Sequence, residues 1–291
     1  MVQLKNCLTI DLESISHRYV TERRHLSEAG RRSVEDEEHR RMMDDGSVAS
    51  STRKMLEVLR EYKCTVTFFV VGEVYNWYPD LVHELNELGH EVAYHSHTHA
   101  PFKAVDFLRR ELQESRKLIE AFGPRGFRAP RATITRDCLG ELARSGFVYD
   151  SSSYGPFDTS ARMSGIIEVP ISTYGICLRK PLTLPRPLSL ALLRDLEIPF
   201  GSGYFISLFS SVNPTLVSYF VRKSNERGTP AVLSLHPWQL YRKETGASPS
   251  RGFARLGMLP YDRSCDQAFE HLLRSHSFCP MYELIEGAGI L

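Results

Sequence analysis

With 291 residues, the chain is long enough to bury a substantial core as one large domain or two small ones. Hydrophobic residues make up 42% and charged residues 24%, ordinary proportions for a globular protein, so a disordered or fibrous chain is excluded. The formal net charge of +1 offers no basic surface for nucleic acid, which is therefore not an expected partner, and a neutral substrate would suit it.

The six cysteines, at 7, 64, 138, 177, 265 and 279, are scattered, with no CxxC pair and no dense framework. Reduced thiols without disulfides, as in a cytosolic protein, are the expectation. The opening MVQLKNCLTID lacks a basic segment followed by a long apolar one, and no apolar run approaches the roughly 18 residues of a membrane span. A cytoplasmic location is expected, with contact to a membrane limited to its periphery.

Taken in chain order, Leu4 to Ile10 is a short apolar run of strand formers that ends in Asp11-Leu12-Glu13. Carboxylates at i and i+2 of an extended segment project to one side, where they repel unless a cation lies between them or one is protonated. Residues 14–46 are dense in Arg, Glu and Asp and predict a charged insertion, either a solvated helix or loop, or a lid placed directly after Glu13. A helical pattern from Ser50 leads to a buried strand over Thr65 to Val71, then to an amphipathic helix over Asp80 to Leu88 that Gly89 stops.

Glu91 to Tyr94 alternates like a strand and runs into His95-Ser96-His97-Thr98-His99. Histidines four apart can lie on one face of a helical turn and share a metal ion, with His97 pointing away. A third ligand is then needed, and a Glu/His/His set with a free Asp is the reading that uses Asp11 and Glu13 together.

Phe107 to Phe122 reads as one helix, and Gly126 to Arg131 as an extended piece that cannot continue as a helix before Pro130. Thr135 caps a helix that ends at Gly146. Phe147 to Asp150, Ile166 to Ser172 and Pro230 to Leu235 supply three further strands, the last leading into His236-Pro237-Trp238. Residues 177–229 form an apolar, proline-broken excursion with a helix near Val217 to Arg222. A polar tail over 241–262, a helix over Asp266 to Ser275 and a closing strand or turn over Met281 to Ile285 complete the chain.

Seven strands, beginning near 4, 65, 91, 126, 147, 166 and 231 and mostly separated by helices, predict an α/β barrel of parallel strands in a single domain, 1–291. Asp11, Glu13, His95, His99, Arg128, Asp150 and His236 all fall at the C-terminal strand ends, where barrels place their chemistry.

With those motifs in place, the chain resembles the polysaccharide deacetylases, metal-dependent amide hydrolases with a NodB-type homology domain and a distorted seven-stranded (β/α) barrel. Their histidine motif is matched by His95 to His99, which implies that His95 and His99 are metal ligands. Their Thr-Phe-Asp-Asp-Gly motif is represented by Thr9-Ile10-Asp11-Leu12-Glu13, so Asp11 resembles the general base. The usual ligand position holds Leu12, and Glu13 takes that role as in a D-x-[DE] pattern. Arg128-Ala129-Pro130 matches a motif whose arginine holds the base ionised, with Arg131 where an aromatic is usual.

The resemblance further implies that His236 is the general acid, oriented by Asp150 or Glu168, and that the backbone N–H at 131 helps to hold the oxyanion. Pro130, Arg131 and Trp238 are expected to touch the substrate. One divalent ion is implied, zinc first, with cobalt, manganese or nickel also compatible. The expected reaction removes an N-acetyl group from an amino sugar of a glycan or glycan precursor and releases acetate. Two alternatives stay open: a related C–N hydrolase, allantoinase-like or a deformylase of a lipid-linked sugar, and a non-catalytic carbohydrate-binding relic.

Overall fold

A computed structural model describes residues 4–14, 16–17, 37–157, 162–177, 195–210, 213–240 and 264–290. Most of the charged insertion, the proline-broken run of the 177–229 excursion and the polar tail over 241–262 lie outside the described residues.

The strands are β1 (Asn6–Leu12), β2 (Thr67–Val70), β3 (Glu91–Tyr94), β4 (Gly126–Phe127), β5 (Tyr149–Asp150), β6 (Tyr154–Gly155), β7 (Arg162–Met163), β8 (Ile166–Glu168), β9 (Ile171–Ser172), β10 (Tyr174–Cys177), β11 (Asp195–Ile198), β12 (Val232–Leu235) and β13 (Phe278–Cys279). The order β12-β1-β2-β3-β4-β5-β8 is parallel throughout. These seven strands fall where the apolar runs of the sequence lie. β7 adds an antiparallel edge to β8, and β13 pairs with the start of β1. Helices cover the outside, which is why β1 is buried along its whole length instead of alternating with solvent.

Among the described residues no strand pair joins β12 to β8. Backbone and side-chain bonds bridge that gap instead: Val232 N–H donates to Ser172 Oγ (2.8 Å), Gly201 N–H to Ser172 O (3.0 Å) and Ser234 N–H to Gly201 O (2.7 Å). A Cβ at Gly201 would lie 2.4 Å from the Val232 carbonyl, so only glycine fits this seam. The result is a distorted seven-stranded (β/α) barrel.

Strand alternation divides the core. Leu8, Ile10 and Leu12 face the helices, in one cluster with Phe68, Val70 and Leu233. Cys7 faces the interior, with Phe69, Ala93, Tyr149, Ile167 and Val232, and the helix Met281–Gly287 closes that interior from below through Met281, Leu284 and Ile285. Glu91 is half-buried at the seam with this plug, where it accepts from Thr67 Oγ1 (2.7 Å), Tyr149 OH (2.9 Å) and Tyr282 N–H (3.0 Å).

Three elements differ from the sequence expectations. The helix expected over 107–122 is two helices, Val105–Glu114 and Arg116–Phe122, broken at Ser115. The strand expected over 166–172 splits at Pro170, which cannot donate to a ladder, into β8 and β9 in separate sheets. The closing segment from Met281 is a helix, preceded by the short β13.

Candidate active site

The inward column of β1 changes from apolar to polar as it climbs: Cys7 sits in the interior core, Thr9 Oγ1 accepts from Arg128 Nη1 (2.7 Å), and Asp11 Oδ1 accepts from the same nitrogen (2.6 Å). Leu12 points the other way into the helix-facing core and cannot reach the barrel mouth. The chain turns immediately afterwards, with Glu13 N–H donating to Asp11 O (3.1 Å), and this turn brings Glu13 back over the mouth. The displaced carboxylate at 13 is thereby explained by the period of the strand.

His95 and His99 do come together, with ring centroids 5.0 Å apart, but not on a helical turn. Ser96 (φ 68°) and His99 (φ 59°) are left-handed, which no helix tolerates, and the loop is held by captured amides. Glu111 accepts from His97 N–H (2.8 Å), Thr98 N–H (3.0 Å) and Thr98 Oγ1 (2.8 Å), while His99 N–H donates to Ser96 Oγ (2.9 Å). His97 points away, as expected, and its Nδ1 lies 3.0 Å from Ser115 Oγ. Gly72 gives it room, since a Cβ there would sit 2.5 Å from His97 Nδ1.

Glu13, His95 and His99 converge, each with a ligand atom within 4.8 Å of the others. The His95 Nδ1–H donates to the Arg128 carbonyl (2.7 Å), which fixes the ring and leaves Nε2 as the ligand atom. His99 Nε2 lies 2.5 Å from Glu13 Oε2, and apart from that contact neither Glu13 Oε2 nor His99 Nδ1, both buried, has a hydrogen-bond partner. A buried carboxylate oxygen left in that state is costly unless a cation satisfies it. Two imidazoles and one carboxylate therefore fit a divalent ion with open coordination positions.

The three groups are electrostatically tied to one another: at His99 burial is outweighed, chiefly by Glu13, and the imidazole is raised. Burial alone would raise the Glu13 carboxyl, but His99 and then His236 beside it outweigh burial and hold it well below the usual carboxylate range. Burial pushes the His95 imidazole down to about 4, keeping it neutral as a ligand must be. At Asp11 burial is likewise outweighed, chiefly by Arg128, and the carboxyl is lowered.

Arg128 is the hub of the barrel mouth. Besides Thr9 and Asp11, it donates from Nε to Ser151 O (3.0 Å) and from Nη2 to Ser151 Oγ (2.8 Å), and its guanidinium carbon lies 4.1 Å from the Phe69 ring centroid. Ser234 Oγ donates to Asp11 Oδ2 (3.2 Å), so both oxygens of Asp11 are held. Asp150 and Glu168 do not orient His236. Asp150 Oδ1 accepts from Ser152 Oγ (2.7 Å) and Glu168 Oε1 from Ser153 Oγ (2.6 Å), which braces the loop carrying Ser151 beneath Arg128. Burial, and then Glu168 beside it, push the Asp150 carboxyl well up.

His236 closes the opposite side. Its Nε2 is 3.4 Å from Glu13 Oε1 and 3.9 Å from Asp11 Oδ2, and its ring stacks on Trp238 with centroids 4.7 Å apart. All of these groups meet at one cavity of about 260 Å³, whose wall also includes Arg131, Tyr154, Tyr204 and Trp238. Pro130 is a correction: it is buried, does not line the cavity, and instead starts the tight turn Pro130–Ala132. Arg131 (φ 55°) and Ala132 (φ 51°) are both left-handed on the cavity wall, a cost of about 1–3 kcal/mol each that is typical of functional sites.

The described ends of the charged insertion are docked on one side and solvated on the other, with Glu38, His39, Arg41 and Met42 exposed. Arg40 pairs with the buried Glu73, His17 Nε2 lies 3.0 Å from the same carboxylate, and the His17 ring stacks on Trp77. Glu37 accepts from Trp77 Nε1 (3.2 Å), so the second grouping of potential ligands, Glu37, Glu73 and His97, is already compensated from within the chain. Ser151, Ser234, Tyr154 and Tyr204 were not singled out in the sequence, because isolated serines and tyrosines carry no spacing signal.

Residues 38–149 match the family model described as polysaccharide deacetylase. That segment includes His95, His99 and Arg128, whereas Asp11, Glu13 and His236 lie outside it. The chain is 31% identical over 121 residues to a chitooligosaccharide deacetylase from Bradyrhizobium sp. (strain ANU 289), covering 40% of this chain and 55% of that protein. It is 32% identical over 95 residues to a peptidoglycan-N-acetylglucosamine deacetylase from Bacillus cereus, covering 31% of this chain and 45% of that protein. The matched segment thus spans about half the length of these relatives.

Among solved structures, a protein from Mycobacterium smegmatis assigned to the polysaccharide deacetylases superposes with a TM-score of 0.59 at 18% identity, covering 99% of this chain and 91% of that one. The Puue allantoinase superposes with a TM-score of 0.54 at 13% identity, covering 97% and 88%. At these identities the likeness is one of fold. Residues 38–149 thus resemble the polysaccharide deacetylases in sequence, and the whole chain shares their distorted barrel fold.

Proposed function

We propose that this chain is a metal-dependent hydrolase that removes the N-acetyl group from an amino sugar of a glycan or glycan precursor. The observation that carries the reading is the meeting of the Arg128-held Asp11, the Glu13/His95/His99 set and His236 around one open cavity. A divalent ion held by Glu13, His95 and His99, zinc by its mixed nitrogen and oxygen donors, with cobalt, manganese or nickel also compatible, would polarise the acyl carbonyl and make water more acidic.

The chain's own residues supply the rest. Asp11 is kept ionised by Arg128 and accepts a proton from the attacking water. The backbone N–H at 131, in the left-handed turn on the cavity wall, stabilises the developing oxyanion in this reading. His236 delivers a proton from Nε2 to the leaving nitrogen, without which an amide cannot depart, and the products are acetate and a free amine. Trp238, Tyr154 and Tyr204 offer apolar faces to the sugar ring, and Arg131 at the rim favours a substrate that carries a phosphate or other anion.

Reduced thiols support a cytoplasmic setting: Cys7, Cys64, Cys138, Cys265 and Cys279 are free. An intracellular precursor, nucleotide-linked or lipid-linked, is the substrate class in keeping with that setting. The test is product analysis after incubation of the zinc- or cobalt-loaded protein with free, nucleotide-linked and lipid-linked N-acetylated sugars, with formamido sugars and cyclic amides alongside. Acetate release from the N-acetylated set is expected. Formate release or ring opening without acetate would replace this reading with the related C–N hydrolase, and inertness toward every compound would favour a binding relic.

A further inference from the structure

The helix Pro237–Leu240 begins directly at His236, with proline in its first position and Gln239 in its third. At the third position of a helix a glutamine can reach back to the N–H of the residue before the helix, and it does so here: His236 N–H donates to Gln239 Oε1 (2.8 Å). The same oxygen lies 2.9 Å from His236 Nδ1. The other end of the amide is pinned in the opposite sense, with Gln239 Nε2 donating to Gly203 O (2.8 Å) and Ser207 Oγ (2.8 Å).

These contacts fix which atom is which. A backbone carbonyl only accepts, so the amide nitrogen must face Gly203. A backbone N–H only donates, so the amide oxygen must face His236. An amide oxygen in turn only accepts, which requires the hydrogen on Nδ1 of the imidazole. The side chain of Gln239 is almost fully buried, so no solvent competes for it. Gly203 is needed for the arrangement, because a Cβ there would sit 2.6 Å from Gln239 Oε1 and 2.9 Å from Ser234 O.

We propose that Gln239 is the positioning residue of His236: by accepting from Nδ1–H and from the backbone N–H of the same residue, it fixes the ring and its tautomer so that Nε2 is the atom facing Asp11 and Glu13. The inference rests on the deacetylase reading for its catalytic consequence but not for its structural content. A neutral amide takes the place a carboxylate would fill, orienting the ring without adding a third acid beside Asp11 and Glu13. It also links the two stretches 201–205 and 236–240, since the turn at Gly203 and the histidine are clamped by one side chain.

The test compares wild type, Gln239→Met and Gln239→Glu by ¹⁵N spectroscopy of the histidine rings, with and without zinc, together with steady-state kinetics. In wild type the neutral His236 ring should carry its hydrogen on Nδ1. In Gln239→Met the ring should populate the Nε2–H tautomer and kcat should fall by roughly 10²-fold with KM little changed, the range for loss of an oriented general acid. Gln239→Glu keeps an acceptor for Nδ1–H and should restore the tautomer and much of kcat.

If Gln239→Met lowers only thermal stability, leaving the tautomer and kcat as in wild type, Gln239 is a helix cap alone and the proposal fails. If the tautomer shifts as expected while no variant, wild type included, releases acetate, the positioning role stands and the deacetylase reading is what fails.

Discussion

Replacing Asp11 with asparagine is expected to lower kcat by roughly 10²–10⁴-fold, the range for loss of a general base. The substitution is close to isosteric and leaves a carbonyl oxygen to accept from Arg128, which now donates to Asp11 Oδ1 at 2.6 Å, so the fold should persist. Asp11 is not one of the three converging ligands, so bound metal should be unchanged. Kinetics and metal analysis on the same preparation check both halves. Activity within tenfold of wild type would remove Asp11 from the base role and pass it to Glu13, the other carboxylate at the cavity.

Arg128→Met is expected to destabilise the protein by about 3–5 kcal/mol, as when one partner of a buried ion pair is removed and the other stays behind uncompensated. The Arg128 side chain is 3% exposed and that of Asp11 9%, and the guanidinium also holds Thr9 and both oxygens of Ser151. Methionine keeps the apolar contact over Phe69 while deleting all five of the donated bonds to Thr9, Asp11, Ser234 and Ser151. The double variant D11N/R128M should recover a substantial part of the loss, because no bare carboxylate is then buried. Urea denaturation of the two single variants and the double variant measures the coupling. A loss under about 1 kcal/mol in Arg128→Met would mean that the pair behaves as a solvated surface bridge.

Much of this site was legible because it depends on strand period. Asp11, His95, Arg128 and His236 all lie at or just past the C-terminal ends of β1, β3, β4 and β12, and alternation sends Leu12 outward and leaves Glu13 to serve. What spacing could not supply was loop conformation. The four-residue interval between His95 and His99 suits a helical turn as well as the left-handed loop that is present, and only the captured amides on Glu111 decide between them.

The partner of His236 differs from the sequence expectation for a related reason. Asp150 and Glu168 are acids at strand ends, but in the barrel they brace the Ser151–Ser153 loop, whereas the orienting group is a neutral glutamine one helical turn away. The signal was present in His236-Pro237-Trp238-Gln239, a proline-initiated turn with glutamine at its third position. A neutral amide carries no charge pattern, so only the helix geometry distinguishes it from the residues around it. The break at Ser115 was equally hidden, since a serine at the junction of two amphipathic helices leaves the apolar period intact.

On the proposed reading Glu13 completes a metal site that Leu12 cannot, and elemental analysis of the purified protein after zinc loading and desalting tests this most directly. Wild type should retain about one equivalent of zinc per chain, with Glu13→Ala and His99→Ala both losing it, as a three-ligand site loses its ion when one ligand is removed. Retention of the full equivalent by a folded Glu13→Ala protein would contradict the account and place the third ligand elsewhere.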